Sequence, residues 1–322
     1  MSAARKIIWW IDDNPSRQST ATDLRSRFVN VRGKDLAPEL TKLLDGLQPR
    51  LVVIDHVLDK ATGSHPLFLK GSTIAEAIKE KWPSCPVVGV TNADNLKGID
   101  QRTREAYDAL FPFHEFSRYF DRIRRIARGF DLAARTGRDI RKLIELLKPP
   151  SEDKKRLFEV LTDDLKSKPQ DRSVASRISR WVEHLMDRPG LLLDALWSAT
   201  LLGLNESGFA KVSHTFEKAK YRGVFARPDD HRWWSSVLSE RLYKRCKPEA
   251  GDLSWHVGRR LPGIRKEHFS SCYYCGKEFP ETVAFLDEAS DEQRAMHLKC
   301  TVLHPRYARE LYFEDVRIMR GE

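Results

Sequence analysis

Three acids in this chain stand where short apolar runs end. Asp12 and Asp13 close the run that ends in Ile-Ile-Trp-Trp-Ile, Asp55 closes Leu-Val-Val-Ile, and Thr91 follows Pro-Val-Val-Gly-Val in the same way. Runs this short and this apolar read as buried parallel strands, whose carboxyl ends are where open α/β sheets build ligand sites. Converging carboxylates repel, and a hard divalent cation such as Mg²⁺, bound through oxygens with some water retained, offsets that repulsion. Asp12, Asp13 and Asp55 are therefore the candidate magnesium ligands. Asp55 is the candidate carboxylate nucleophile toward a phosphoryl group, giving an acyl phosphate, with the Thr91 hydroxyl as hydrogen-bond donor.

A second set of ligand-type residues lies near the end. Cys272-Tyr-Tyr-Cys275-Gly276-Lys277 places two thiols three apart on a turn, where glycine gives the backbone freedom to aim both at one ion. His297-Leu-Lys-Cys300 repeats the spacing, which on a helix puts both ligands on one face. Cys272, Cys275, His297 and Cys300 make a closed Cys₃His set, suited to structural Zn²⁺ with no position left for a catalytic water. Reduced core cysteines are the plain alternative. His268 and His304 are read as surface or packing histidines, and Arg294, Lys299, Arg306 and Arg309 as a solvated face near the second ligand pair.

The elements that must position these residues follow from periodicity. Helical spacing over 15–28, 36–47, 72–82 and 115–128 alternates with strands at 6–11, 28–32, 51–54 and 86–90. Such alternation implies a doubly wound parallel sheet. Trp9 and Trp10 fall in the first strand as core. After residue 128 the strands stop. An amphipathic basic helix over 130–147 ends at Pro149-Pro150, helices are expected over 154–165, 174–186, 191–202 and 233–245, and the last sixty or so residues form a small α+β unit. The expected domains are 1–128, a connecting segment 129–150, a mainly helical domain 151–262 and a zinc-stabilised unit 263–322.

Composition limits the function classes. The 322 residues carry 56 Lys and Arg against 46 Asp and Glu, with 41% hydrophobic and 32% charged residues, as in a globular multidomain protein. No apolar run approaches the ~18 residues of a membrane span, and five cysteines without a pairing pattern suit a reducing compartment. A cytoplasmic protein that does not engage a membrane is expected. The net charge of +10 is diffuse except over 218–266, where thirteen Lys and Arg interleave with Trp233, Trp234 and Trp255. That stretch is either a solvated face or a nucleic-acid surface, Trp233-Trp234 being core or a base-stacking platform.

The blocks IIWWIDDN, LVVIDHVLD, GSTIAEAIKEKWPSCPVVGVTNAD and FPFHEF resemble the successive motifs of the response-regulator receiver domain, over about 40% of the chain. The resemblance implies a five-stranded sheet in the order 2-1-3-4-5. It makes Asp12 and Asp13 metal-binding acids, Asp55 the phosphoacceptor and Thr91 the phosphoryl switch residue, and it brings in a histidine-kinase-like phosphodonor and a receiver-mediated homodimer as partners. Two departures stand out. Phe111 occupies the position of the family's phosphoryl-pairing lysine, and the 56–70 loop is longer than usual, bringing His56, Asp59, His65 and Lys70 toward the pocket. Lys70 and Lys97 are the substitute cations, and Tyr107 lies one position from the family's aromatic. The cysteine-rich end resembles a treble-clef zinc finger, in which a helix carries the second ligand pair.

No phosphate-binding glycine loop, nucleophile elbow or HExxH motif occurs. The expectation is a non-enzymatic signalling protein whose only chemistry is self-phosphorylation on Asp55 from a phosphodonor. Its zinc-containing output would bind a partner protein, in a bacterial stress or defence system. A nucleic-acid-binding regulator using residues 218–320 is the alternative, and a zinc-knuckle nuclease built on His304 and Glu310 is a third. A receiver-like domain that keeps its acids only as a docking or dimerisation surface also remains open.

Overall fold

The computed structural model describes residues 7–59, 70–92, 96, 98–114, 116–136, 139–167, 173–187, 190–278, 282–287, 292–297 and 300. They fall into two compact units, one drawn from Met1–Leu146 and Thr162–Trp181, the other from Leu147–Leu161 and Val182–Glu322.

The first unit is built on five parallel strands: β1 (Ile8–Asp12), β2 (Ser26–Asn30), β3 (Leu51–Asp55), β4 (Val87–Thr91) and β5 (Ala109–Pro112). They lie in the order β2-β1-β3-β4-β5, as the receiver resemblance implies. Helices α1 (Gln18–Asp23), α2 (Leu36–Leu44), α3 (Gly71–Lys81) and α4 (Gln101–Glu105) connect successive strands, and α5 (Phe120–Arg135) follows β5. β3 and β4 bury every residue they contain. At roughly 1.5–3 kcal/mol for each fully buried Val, Leu or Ile, these central strands anchor the unit. Trp9 and Trp10 are core, as expected, and point to opposite faces because strand side chains alternate. Trp9 packs edge-on to Trp82 and Trp10 edge-on to Phe116.

Local boundaries moved for identifiable reasons. The helix expected over 36–47 stops at Leu44, ahead of Gly46, and leaves Leu47 exposed. The helix expected over 115–128 begins at Phe120 because Phe116–Tyr119 forms a 3₁₀ turn. The expected helix over 233–245 starts at Ser235: Trp233-Trp234 is instead a short strand paired antiparallel with Leu192-Leu193.

The second unit is mainly helical, with Phe209, Phe216, Trp197, Trp233 and Leu238 in one core. The start of the expected zinc unit is woven into it. Phe269 bridges Leu204, and the Asn205 backbone N–H donates to the His268 carbonyl at 2.9 Å. Strands β8 (Thr282–Asp287) and β9 (Glu292–His297) form a hairpin that lies against helix Ala195–Leu201, so helical core and cysteine-bearing end share one unit. Here β6 (Leu192–Leu193) and β7 (Trp233–Trp234) are the intervening short strands.

Candidate functional site

The 2-1-3-4-5 order reverses direction between β1 and β3, and a crevice opens there at the carboxyl ends. Asp12 ends β1, Asp13 follows it and Asp55 ends β3. All three are buried, and one oxygen from each lies within 4.8 Å of the others. This donor set fits a hard divalent cation, which takes oxygen ligands from one or two carboxylates and completes its shell with water. Gly71 closes the site from below: a Cβ there would sit 2.1 Å from the Asp55 carbonyl oxygen, so only glycine lets α3 start this close to the strand end.

The pocket also contains a cation that the sequence reading did not single out. Asn14 caps a 3₁₀ turn over Pro15–Arg17, its side chain accepting from the Ser16 N–H, and that turn carries Arg17 back over the strand ends. Arg17 Nη1 lies 2.7 Å from Asp55 Oδ2 and 3.1 Å from Asp12 Oδ2, and the guanidinium stands 4.1 Å from the centre of the Phe113 ring. The available signal was the position, one helical turn past Asp13 after a Pro start. Asp12 is held further by the Trp10 indole N–H to Oδ2 at 3.0 Å and the Asn14 backbone N–H to Oδ1 at 2.8 Å.

Charge in the pocket is finely balanced. Burial and the neighbouring Asp12 push the Asp55 carboxyl up to about 7, against the pull of Arg17. Arg17 itself is held above its ordinary range by Asp55 and Asp12, despite the opposing effect of burial. Thr91 is fully buried beside β3, and its hydroxyl has no hydrogen-bond partner among the described residues.

The other residues read toward this pocket separate. Phe111 is buried, stacked on Tyr119 at 4.6 Å with the Arg122 guanidinium 5.0 Å from the centre of its ring, and supplies no charge. Lys70 is exposed, in a bridge with Val57 that closes the base of the long loop; Asp59 is exposed too, and His65 and Lys97 lie outside the described residues. His56 Nδ1 and the Tyr107 hydroxyl are 3.0 Å apart. Burial and Lys70 lower the His56 pKa, while burial and Asp55 raise that of Tyr107.

In the second unit Cys272, Cys275, His297 and Cys300 are brought together, with ligand atoms within 4.8 Å of one another. His297 Nδ1 is 3.2 Å from Cys275 Sγ and 3.8 Å from Cys300 Sγ, around the edge of about 3.5 Å that a tetrahedron with Zn–S near 2.3 Å and Zn–N near 2.0 Å would have. Gly276 adopts φ +68°, the conformation expected of the turn, and its N–H donates to the Cys272 carbonyl at 2.8 Å. Burial and the Cys272 and Cys275 thiols push the Cys300 thiol up to about 12. Burial also opposes ionisation of Cys272, yet backbone N–H groups of His297, Cys275 and Tyr274 bring it below its usual value. The expected helix carrying both second ligands is corrected: His297 ends strand β9, while Cys300 is helical. His268 is a packing residue, buried with Nδ1 accepting the Arg265 N–H at 2.9 Å. Lys299, His304, Arg306, Arg309 and Glu310 lie outside the described residues.

The basic stretch over 218–266 is largely spent within the unit. Arg227 pairs with Glu183, Asp187 and Asp230, Arg232 with Asp230, and Arg260 with Asp252. Trp233, Trp234 and Trp255 are buried, which removes them as a stacking platform. No helix among the described residues is long and apolar enough to cross a membrane.

No family model and no curated protein sequence matches the chain. Among solved structures it is similar to NtrX from Brucella abortus in complex with ADP, at 20% identity over 55% of this chain and 33% of that one, with a TM-score of 0.26. A second structure of NtrX from Brucella abortus gives 16% identity over 66% and 34%, TM-score 0.27. RcsB from Salmonella enterica serovar Typhimurium, bound to promoter rprA in the presence of the phosphomimetic BeF3-, gives 13% over 57% and 90%, TM-score 0.27. The chain spans about a third of the length of the NtrX chains. Strand order and the seats of the three acids, not these scores, carry the conclusion that the first unit has a response-regulator-like receiver fold.

Proposed function

We propose that the chain is a response-regulator-like signalling protein in which Asp55 accepts a phosphoryl group from a histidine-kinase-like or small-molecule donor. The zinc-bearing second unit then delivers the output by binding a partner protein, in a bacterial stress or defence system. The observation that carries this reading is the pairing of three buried acids at the sheet's switch point with a buried Thr91 hydroxyl lacking a partner among the described residues. A phosphoryl oxygen is the acceptor that hydroxyl lacks. An Asp55 oxygen would attack phosphorus as the bond to the donor's leaving group breaks, and Thr91 would donate to one of the transferred oxygens. A divalent cation held by Asp12, Asp13 and Asp55 would offset charge on those oxygens.

Beryllofluoride or acetyl phosphate with Mg²⁺ tests the reading. The expected result is a conformational change, or a mass increase of one phosphoryl group, that Asp55→Asn abolishes. An unresponsive wild-type chain would mean that the receiver-like unit is a docking or dimerisation module. The nucleic-acid reading draws less support, because Arg227, Arg232 and Arg260 are committed to internal ion pairs. It predicts binding that weakens steeply with salt.

A further inference from the structure

Arg17 occupies the very oxygens that the three-acid site offers a metal. A single guanidinium nitrogen is shared between Asp55 Oδ2 and Asp12 Oδ2, at 2.7 and 3.1 Å. Arginine–carboxylate pairs are frequently bidentate, the planar fork making two parallel bonds. Here Nε is buried with no hydrogen-bond partner among the described residues, so the seat is incompletely satisfied. What keeps the side chain there is the Phe113 ring beneath it and the short capped turn Pro15–Arg17. Mg²⁺ requires oxygens at about 2.0–2.1 Å in near-octahedral array. Two cations sharing these buried carboxylates would stand a few ångströms apart, where like charges repel strongly in a poorly solvated site.

We propose that Arg17 is a built-in competitor of the divalent cation: its guanidinium and the metal bind the Asp12–Asp55 pair in alternation, so Arg17 sets the cation affinity and must leave for the ion to enter. The pocket then has two states, arginine in and metal in, and whatever favours one disfavours the other by the same factor. Phe111 is packed into an aromatic cluster, and Arg17 is the cation that the described residues bring onto these acids. The inference rests on reading Asp12, Asp13 and Asp55 as a cation site, but not on phosphorylation of Asp55.

The test is Mn²⁺ binding to the full-length, zinc-loaded protein, read by the electron paramagnetic resonance of free Mn²⁺ and, for Mg²⁺, by titration calorimetry. Arg17→Gln is expected to bind either ion ~10-fold more tightly than wild type, within the roughly 5–150-fold usual for coupled sites. Asp55→Asn added to Arg17→Gln should remove the gain, which locates the ion. Phe113→Leu leaves the acids intact and only loosens the arginine's seat, so it should shift affinity in the same direction by a smaller factor. It keeps the question answerable should Arg17→Gln fold poorly. Unchanged or weaker Mn²⁺ affinity in both variants overturns the proposal. So does an Arg17→Gln protein that keeps wild-type Mn²⁺ affinity but loses its beryllofluoride response, which would make Arg17 the phosphoryl-pairing cation instead. Failure of the wild-type protein to respond to phosphodonors refutes only the phosphoacceptor reading and leaves the Mn²⁺ comparison intact.

Discussion

The acid pocket and the thiol cluster are both crowded sets of metal-ligand side chains, yet the fold treats their charge in opposite ways. Asp12 and Asp55 carry an arginine between them, and Asp55 sheds part of its charge by holding its proton up to about 7. The described contacts of Cys272, Cys275 and Cys300 are with one another, with His297 and with backbone groups. A ligand set with its own counter-ion persists with or without a metal, which suits a switch. One whose described contacts are its own ligands and backbone would depend on a bound metal for its fold, which suits a permanent staple.

The largest expected effect is therefore metal removal at the thiol cluster. Structural zinc contributes about 10–16 kcal/mol of apparent binding energy in small fingers. Even ~4 kcal/mol lost from a unit of this size lowers Tm by roughly 8–16 °C. A strong chelator, or Cys275→Ser, should produce that drop in a thermal melt, together with loss of one metal equivalent per chain as read by elemental analysis. The same chelator should leave the melting of the sheet unit in place. A chelator-resistant melt would erase the contrast and return the cysteines to ordinary core residues.

A smaller effect of opposite origin is expected at Asp55. Its carboxyl titrates near 7 in the folded chain and near the usual 3.8 when unfolded. Between those values the folded state binds the extra proton, so this group's stabilising contribution is fully present below about pH 4 and is lost as pH rises toward 7. The loss is on the order of 3 to 4 kcal/mol. Urea denaturation without added divalent cation, compared at pH 5 and pH 7.5, should show wild type losing more stability than Asp55→Asn. Equal losses would mean that Arg17 neutralises the pocket more completely than the balance of burial and Asp12 suggests.

The two regions were also unequally legible in the sequence. Strand ends and ligand spacings were readable because each depends on residues close in the chain: apolar runs ending at Asp12, Asp55 and Thr91, and two ligand pairs three apart. Arg17 was not, since its role depends on a 3₁₀ turn capped by Asn14 and on Phe113, nearly a hundred positions away. Nor was the His56–Tyr107 contact, which joins β3 to the segment before β5 across 51 positions. His297 misled for a related reason, because spacing by three fits a helix face but equally fits a strand end followed by a helical start. Charge over 218–266 looked like a surface for phosphates, and the acids that absorb it, Glu183 and Asp187 among them, lie some forty residues earlier.

The finest separation of the two regions comes from Thr91, where a substitution should cost function and almost no stability. Its buried hydroxyl makes no hydrogen bond among the described residues, so the folded chain already bears its desolvation. Leaving such a group unsatisfied costs about 1–3 kcal/mol, whereas an apolar group of the same shape is nearly neutral or stabilising. Thr91→Val keeps the β-branch that suits a buried strand and removes only the polar atom. Chemical denaturation is expected to place the variant within ~1 kcal/mol of wild type, on the stable side, while its conformational response to beryllofluoride is lost. A destabilised variant would reveal a partner that the resting pocket already supplies, and an unimpaired response would take the hydroxyl out of the switch. At the thiol cluster no such uncoupling is expected, because each of its four side chains would be a ligand of a metal on which the local fold would depend.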